Sequence, residues 1–243
     1  MLLEICCYSP AAAILAAKCG ANRIELCDNP GDGGTTPPFG VLKWAKENIS
    51  IPVFPIIRPR GGHFVYTGAE INMIAEDIKI CKQIGYEGVV IGCLNEQGNI
   101  AYSDTARLVE LAWPMEVTFH RAFDRVRDPF EALEQIAQAG CHRILTSGQC
   151  PTAPAGSTLI GKLVKEAPEN LIIMPGSGVR AANIAQLYAD TGAVEFHSSA
   201  SVLVAEDFFI PESMKETLSQ TMPDENEIRG LVAELGKLKG KGL

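Results

Sequence analysis

The chain contains 243 residues, a length that suits one α/β barrel of about 250 residues or two smaller domains. Hydrophobic residues make up 47% and charged residues 21%, an ordinary globular composition that excludes global disorder. Asp and Glu outnumber Lys and Arg by 29 to 21, which gives a formal net charge of -8. This acidic balance argues against a nucleic acid or an anionic membrane surface as a partner.

No stretch of the sequence predicts a membrane span or an export signal. The uncharged run 5–17 is shorter than the roughly 20 residues that a span needs, and it contains Pro10. We therefore expect a cytoplasmic location, in which the eight cysteines stay thiols. No two cysteines are spaced C-x-x-C, so the common zinc-ribbon and thioredoxin motifs are absent.

Short apolar runs alternate with helical patterns along the first 200 residues. The predicted strands, in chain order, are 3–7, 23–27, 53–58, 88–92, 116–120, 143–146, 171–174 and 193–196. The predicted helices between them are 10–20, 40–48, 69–84, 103–112, 128–139, 157–167 and 180–190. Eight such units in about 200 residues favour an α/β fold with a single (β/α)8 TIM-like barrel. An open doubly wound sheet is the alternative, because one sequence does not reveal strand order.

The C-terminal part of the chain departs from this alternation. We expect residues 1–200 to form the barrel and residues 201–243 to form a C-terminal arm and a terminal helix packed on it. The stretch 202–223 predicts an irregular arm, and a charged helix follows over 225–238. The arm could pack across a second subunit, so a homo-oligomer is an expectation.

Polar side chains share one face of several predicted strands. Because successive strand residues point to opposite faces, the apolar set should contact the helices and the polar set should point into the barrel. The inward set comprises Glu4, Cys6, Arg23, Glu25, Cys27, Glu116, Thr118, His120, Glu195 and His197. Buried carboxylates need compensating groups, and Arg58 at the end of the third strand is a candidate cation. A purely structural polar network is the alternative to a functional one.

Active sites of such barrels lie at the C-terminal ends of the strands. The candidate catalytic residues in that region are Glu25, Arg58, His120, Asp124 and His197. Histidines beside carboxylates suit acid–base chemistry, although a hydrogen-bonded structural imidazole is the alternative for each. No lysine falls on a predicted strand and no G-x-S-x-G motif occurs, so neither a Schiff-base aldolase nor a serine hydrolase is expected.

The stretch 174–180 has the pattern of an anion-binding loop, in which a strand runs into Gly-Ser-Gly and opens a helix. Backbone amides at such a place bind phosphate, and barrels often build this site after strands seven and eight. The candidate anion site comprises Ser147, Gly148, Gly176, Ser177, Gly178 and Ser198. A tight turn without a ligand is the alternative.

Cys6 and Cys27 fall on the same inward face of neighbouring predicted strands, which lie about 4.8 Å apart. Soft thiolates suit Cu(I), whereas zinc would need a fuller ligand set that His or Glu could complete. Small buried core thiols are the alternative, since free cysteine is common in protein interiors.

Seven segments of the sequence resemble the CutC family. These are Leu3–Ser9, Arg23–Cys27, Gly33–Pro37, Pro55–Gly62, Val117–Asp124, Leu145–Gly148 and Glu195–Ala200. The resemblance covers about residues 2–200 and implies a TIM-like barrel, a cytoplasmic setting and a role in copper homeostasis. It also implies Cu(I)-binding positions at Cys6 and Cys27. The resemblance also implies that five residues belong to the cavity of the family: Glu25, Arg58, His120, Asp124 and His197.

Three functional hypotheses follow from these patterns. The leading one is a protein of copper homeostasis whose partner is a copper(I) ion bound by Cys6 and Cys27. The second is a barrel enzyme acting on a small anionic metabolite, either phosphorylated or carboxylated. The third is a scaffold whose polar interior is only structural.

Overall fold

The computed structural model describes residues 1–205, 208–214 and 219–239. Within these residues, eight parallel strands form the inner wall: β1 Leu2–Cys7, β2 Arg23–Leu26, β3 Val53–Pro55, β4 Gly88–Ile91, β5 Glu116–Phe119, β6 Arg143–Thr146, β7 Ile172–Pro175 and β8 Glu195–Ser198. They pair in the orders β3-β2-β1-β8 and β4-β5-β6-β7.

The two groups of strands complete a barrel. A parallel bridge between Ile56 and Val90 joins the β3 side to the β4 side, and β7 lies beside β8. Each strand thus neighbours the next one in the chain, and β8 returns to β1. The predicted (β/α)8 barrel is confirmed, and the open-sheet alternative is wrong because the last strand pairs with the first.

Helices follow the first seven strands, and an eighth helix lies near the C-terminus of the described chain. They are α1 Pro10–Lys18, α2 Phe39–Asn48, α3 Gly68–Ile84, α4 Tyr102–Ala112, α5 Pro129–Gln138, α6 Ser157–Glu166, α7 Ile184–Thr191 and α8 Glu225–Lys239. None of the helices in these stretches has both the length and the apolar character that a membrane span requires.

Local sequence signals explain several helix ends. The Asp128 side chain accepts hydrogen bonds from the first amides of α5, and Pro129 occupies the first helical turn, where its missing N–H costs nothing. Gly85 ends α3 in the left-handed conformation, with a φ of 91° that other residues rarely adopt. These two signals fix where α5 begins and where α3 ends.

The C-terminal arm contains regular structure that the sequence did not predict. β9 Ser201–Ala205 and β10 Ser219–Pro223 form an antiparallel pair, so the expectation of an irregular segment is wrong for these two stretches. The two strands satisfy each other's backbone hydrogen-bonding groups, and the valines of β9 favour an extended form. The parts of the predicted arm at 206–207 and 215–218 lie outside the described residues. The domain boundary near residue 200 and the homo-oligomer stay predictions.

Two apolar layers surround the strands. The larger one lies between the strands and the helices and contains the outward residues of the strands, such as Leu3 and Ile5. The smaller one lies inside the barrel and comprises Cys6, Cys27, Phe54, Ile56 and Val90, with Tyr8 packed against it. The barrel interior is therefore divided into an apolar, thiol-bearing layer and the charged layer described next.

Candidate functional site

A charged network fills the part of the barrel interior nearest the strand starts. The Arg23 guanidinium forms ion pairs with Glu4 and, at 2.7 Å, with Glu195. Arg143 pairs with the same Glu195 carboxylate at 2.7 Å and with Glu116 at 2.6 Å. Two arginines and three carboxylates thus alternate across five strands, β1, β2, β5, β6 and β8. Glu4 and Glu195 are buried, as predicted from their inward strand face, whereas the Glu116 side chain is 45% exposed at the start of β5.

Arg58 is not the cation of this network, contrary to the expectation from sequence. Its Nη1 atom donates to the carbonyl oxygens of Asp32 and Gly34, both at 2.7 Å, and its Nη2 atom donates to Gly62 O at 3.0 Å. The side chain points from the end of β3 toward the loops after β2 and β3, so it holds these loops together. The inward cations belong instead to the first positions of β2 and β6.

His197 connects the charged network with the thiol-bearing layer. Its Nδ1 atom lies 2.8 Å from Oε1 of Glu4, and its Nε2 atom lies 3.7 Å from Oε2 of Glu25. Burial opposes ionisation of Glu4, but the charges of Arg23 and His197 outweigh it and lower the pKa of Glu4 to about 2. Burial likewise lowers the pKa of His197, while hydrogen bonds to Cys6 and Glu4 raise it well above the usual value.

Cys6 and Cys27 come together as predicted from their shared face. Their Sγ atoms lie 3.7 Å apart, and the two residues are 5% and 2% exposed. Cys6 is the register partner of Glu25 on β2, which places the carboxylate beside the two thiols. One ligand atom from each of Cys6, Glu25 and Cys27 falls within 4.8 Å of the others. These three donors could hold a metal ion.

The two thiols differ in their acidity. The hydrogen bond from Cys27, together with His197, holds the pKa of Cys6 well below the usual thiol value, although burial acts against it. Burial raises the pKa of Cys27 well above that value, and the neighbouring Cys6 adds to the effect. Burial also raises the pKa of Glu25, and so does the negative charge of Cys6. The group therefore favours one thiolate beside one thiol.

A cavity of about 470 Å³ opens at the C-terminal ends of the strands, above the thiols. All five predicted catalytic residues line it, and Cys6 does as well. The remaining walls come from the loops after β2, β3, β5, β7 and β8, which is where barrels place their ligand sites. Its volume lies in the range of small-molecule pockets.

His120 is buried and hydrogen-bonded in a defined orientation. Its Nδ1 atom accepts the backbone N–H of Ala122 at 3.1 Å, so the proton of the neutral ring resides on Nε2. Burial and the positive charges of Arg58 and Arg125 lower the pKa of His120 to about 3. The imidazole is therefore neutral at physiological pH. Its catalytic role stays a prediction.

Asp124 is already fully engaged by protein groups. Its carboxylate accepts the Arg121 Nε–H at 2.8 Å, the Thr146 hydroxyl at 2.6 Å and the Ser147 amide at 3.0 Å. These bonds tie the loop after β5 to the end of β6. A positioning role fits this geometry better than proton transfer, although its catalytic role stays a prediction.

The predicted anion site is only partly assembled. Ser177 and Gly178 line the cavity, whereas Ser147, Gly148, Gly176 and Ser198 do not. The Ser177 and Ser198 hydroxyls donate to the carbonyl oxygens of Pro151 and Val179.

The expectation that a helix opens directly after this loop is wrong, because α7 begins at Ile184. The Asn183 side chain accepts the Arg180 amide at 2.9 Å, and this local turn replaces the first helical turn. Anion binding at this loop stays a prediction.

Three contributors to the interior and the cavity were missed from sequence. Arg143 opens β6 on the same strand face as Leu145, so the strand periodicity could have revealed it. Phe64 lies on the loop between β3 and α3, and Arg125 ends a short 3-10 helix between β5 and α5. Their guanidinium–ring contact at 4.8 Å has no sequence signal. Loops lack the periodicity that orders strand residues.

The fold and the site together define a class: a (β/α)8 barrel with a buried pair of thiols beneath a polar cavity. The CutC family model matches residues 1–202. Two curated CutC family proteins are similar to this chain. The one from Chromobacterium violaceum is 48% identical, covering 84% of this chain and 83% of the relative. The one from Parabacteroides distasonis is 50% identical, covering 84% of each. The chain belongs to the CutC family.

Solved structures agree with this assignment. A crystal structure of a CutC protein from Streptococcus agalactiae, provisionally named for copper homeostasis, has a TM-score of 0.78 and 32% identity. The match covers 82% of this chain and 98% of that protein. The N-(5'-phosphoribosyl)anthranilate isomerase from Pyrococcus furiosus has a TM-score of 0.57 at 14% identity, covering 98% of this chain and 99% of the isomerase. That second likeness concerns the fold alone.

Proposed function

We propose that this protein takes part in copper homeostasis by binding Cu(I) between Cys6 and Cys27. The separation of 3.7 Å between the two buried Sγ atoms is the observation that carries the proposal. Thiolates are the ligands that Cu(I) prefers, and two of them suffice for a bound ion. The solved CutC protein from Streptococcus agalactiae is named for copper homeostasis, which supports the same assignment.

The surroundings of the thiols favour a soft monovalent ion. The low pKa of Cys6 supplies a thiolate near neutral pH, where an ordinary thiol would remain protonated. Glu25 is the third donor within 4.8 Å, so two of the three candidate ligands are soft sulfur atoms. We further propose a cytoplasmic location, supported by the eight cysteines of the described chain being free thiols.

Titration of the reduced protein with Cu(I) against a competing chelator tests the proposal. The wild-type chain should bind one Cu(I) ion, and the Cys6→Ser, Cys27→Ser double variant should lose that binding. Cys150→Ser is the matched control, because Cys150 is also a free thiol and lies outside the described thiol group. Equal Cu(I) affinity in the wild type and the double variant would overturn the site.

A further inference from the structure

The wall of the cavity formed by the loops after β3 and β5 carries positive groups with no role in the thiol site. Phe64 lies at its centre. The Cζ atoms of Arg58 and Arg125 each lie 4.8 Å from the centroid of the Phe64 ring, and the His120 ring centroid also lies at 4.8 Å. All four residues line the cavity.

One N–H group of this cluster is buried without an acceptor. His120 is 4% exposed, and its Nε2 atom has no hydrogen-bond partner among the described residues. The Nδ1 bond to Ala122 fixes the His120 proton on Nε2, so that nitrogen is a donor. Native proteins rarely leave such donors unsatisfied, because burial removes them from water.

Among the described residues, no carboxylate forms an ion pair with Arg58 or Arg125, although Asp32 lines the same cavity. Arg58 donates its Nη hydrogens to loop carbonyl oxygens, which orient the guanidinium without cancelling its charge. Arg125 is exposed and forms no ion pair within the part of the chain that the structure describes. By contrast, Arg121 on the same loop is paired with Asp124 at 2.8 Å. A negatively charged ligand would complete this wall.

We propose that Phe64, Arg58, His120 and Arg125 form an oxyanion subsite for a small metabolite that carries a carboxylate or phosphate group. Arg125 supplies a charged donor, His120 donates Nε2–H to a ligand oxygen, and Arg58 supplies a fixed positive charge. The subsite is separate from the proposed copper ligands, and it lies on the wall formed by the loops after β3 and β5 rather than on the loop after β7.

Calorimetric titration of the metal-free, reduced protein with three probes tests this subsite. The probes are inorganic phosphate, pyruvate and dihydroxyacetone phosphate, with chloride at matched ionic strength as the reference. Binding of a phosphate or a carboxylate probe supports the proposal and identifies the oxyanion. If none of the three probes binds more tightly than chloride, the proposal is overturned.

The Arg125→Gln variant locates the bound anion. Arg125 is exposed and its side chain makes no hydrogen bond within the described residues, so the variant should fold. It should bind the probe about tenfold more weakly, which corresponds to one charge-assisted hydrogen bond. Arg127→Gln is the matched control, because Arg127 is also exposed and does not line the cavity. Equal affinities of the two variants would place the anion elsewhere and overturn the subsite.

Nitrogen NMR of the histidine rings gives a second readout that needs no variant. The probe should shift the Nε2 resonance of His120 and leave that of His142 unchanged. His142 is a suitable internal reference, since its Nδ1 atom also accepts a backbone amide, at 3.1 Å from Val117 N. A His120 resonance that does not respond to a bound probe would contradict its donor role.

Discussion

The Nδ1 atom of His197 lies 2.8 Å from Oε1 of Glu4, at the position where β8 and β1 are in register. This contact joins the last strand of the barrel to the first through side chains as well as backbone. It also turns the other ring nitrogen toward Glu25 and the thiol layer. The charged network near the strand starts therefore orients a residue of the candidate metal site.

Replacing Glu4 with Gln should destabilise the fold and change its acid dependence. The folded pKa of about 2 lies below the usual 4.5, so the stabilisation is fully present above pH 4.5 and is lost as the pH falls toward 2. The shift corresponds to about 3 kcal/mol at neutral pH. Urea unfolding at pH 6 and pH 3 measures the free energy of unfolding of the wild type and of the variant. The difference between the two proteins should shrink at pH 3.

Glu116→Gln is the control for that experiment. Its side chain is 45% exposed and, in the part of the chain that the structure describes, pairs only with Arg143, so its loss should cost about 1 kcal/mol or less. A cost for Glu4→Gln no larger than that of Glu116→Gln would show that the buried network does not stabilise the barrel.

Replacing Arg143 with Met should leave the Glu195 carboxylate with Arg23 as its remaining cation. Removing one partner of a buried ion pair costs about 3–5 kcal/mol, because the other charge stays desolvated. The double variant Arg143→Met, Glu195→Leu should cost less than the sum of the two single variants. Chemical denaturation of the wild type, the two single variants and the double variant gives the coupling free energy between the two residues. Strictly additive changes in the free energy of unfolding would contradict the network.

Arg58→Ala should loosen the loops after β2 and β3 without unfolding the barrel. Three carbonyl oxygens, including those of Gly34 and Gly62, lose their donor. Each lost bond to a charged group costs about 1.5–3 kcal/mol locally. Hydrogen exchange should therefore accelerate over residues 31–34 and 61–62 while the amides of β5 keep their protection. Unchanged exchange in the loops would show that Arg58 does not hold them.

His120→Gln should make the fold less sensitive to mild acid. The buried imidazole has a folded pKa of about 3, below the usual 6.5, so the stability of the wild type falls as the pH drops from 6.5 toward 3. Glutamine can still accept the Ala122 amide but does not titrate. Melting temperatures measured across this range should converge as the pH falls. His63→Gln, at an exposed site, should follow the wild type throughout.

Much of the fold was predictable because it rests on local patterns. The alternation of apolar runs with helical patterns predicted the eight β/α units, and the Asp128 cap predicted the start of α5 within one residue. The start of α7, which has no side-chain cap, was predicted four residues too early. Strand periodicity also assigned Glu4, Cys6 and Glu25 to the interior, since side chains alternate between the faces of a strand. These features depend on residues close in sequence.

The partners of those residues were decided only by the tertiary structure. The sequence offered Arg58 as a candidate interior cation, yet Arg23 and Arg143 pair with the carboxylates. Arg58 lies three residues beyond Pro55, the last residue of β3, and donates to loop carbonyl oxygens instead. Strand register brings the Cys6 and Cys27 sulfur atoms to 3.7 Å. Loop packing likewise gathers Arg125 and His120 around Phe64. Residue types and strand faces are local properties of the sequence, whereas distances between groups far apart in the chain arise only when the barrel closes.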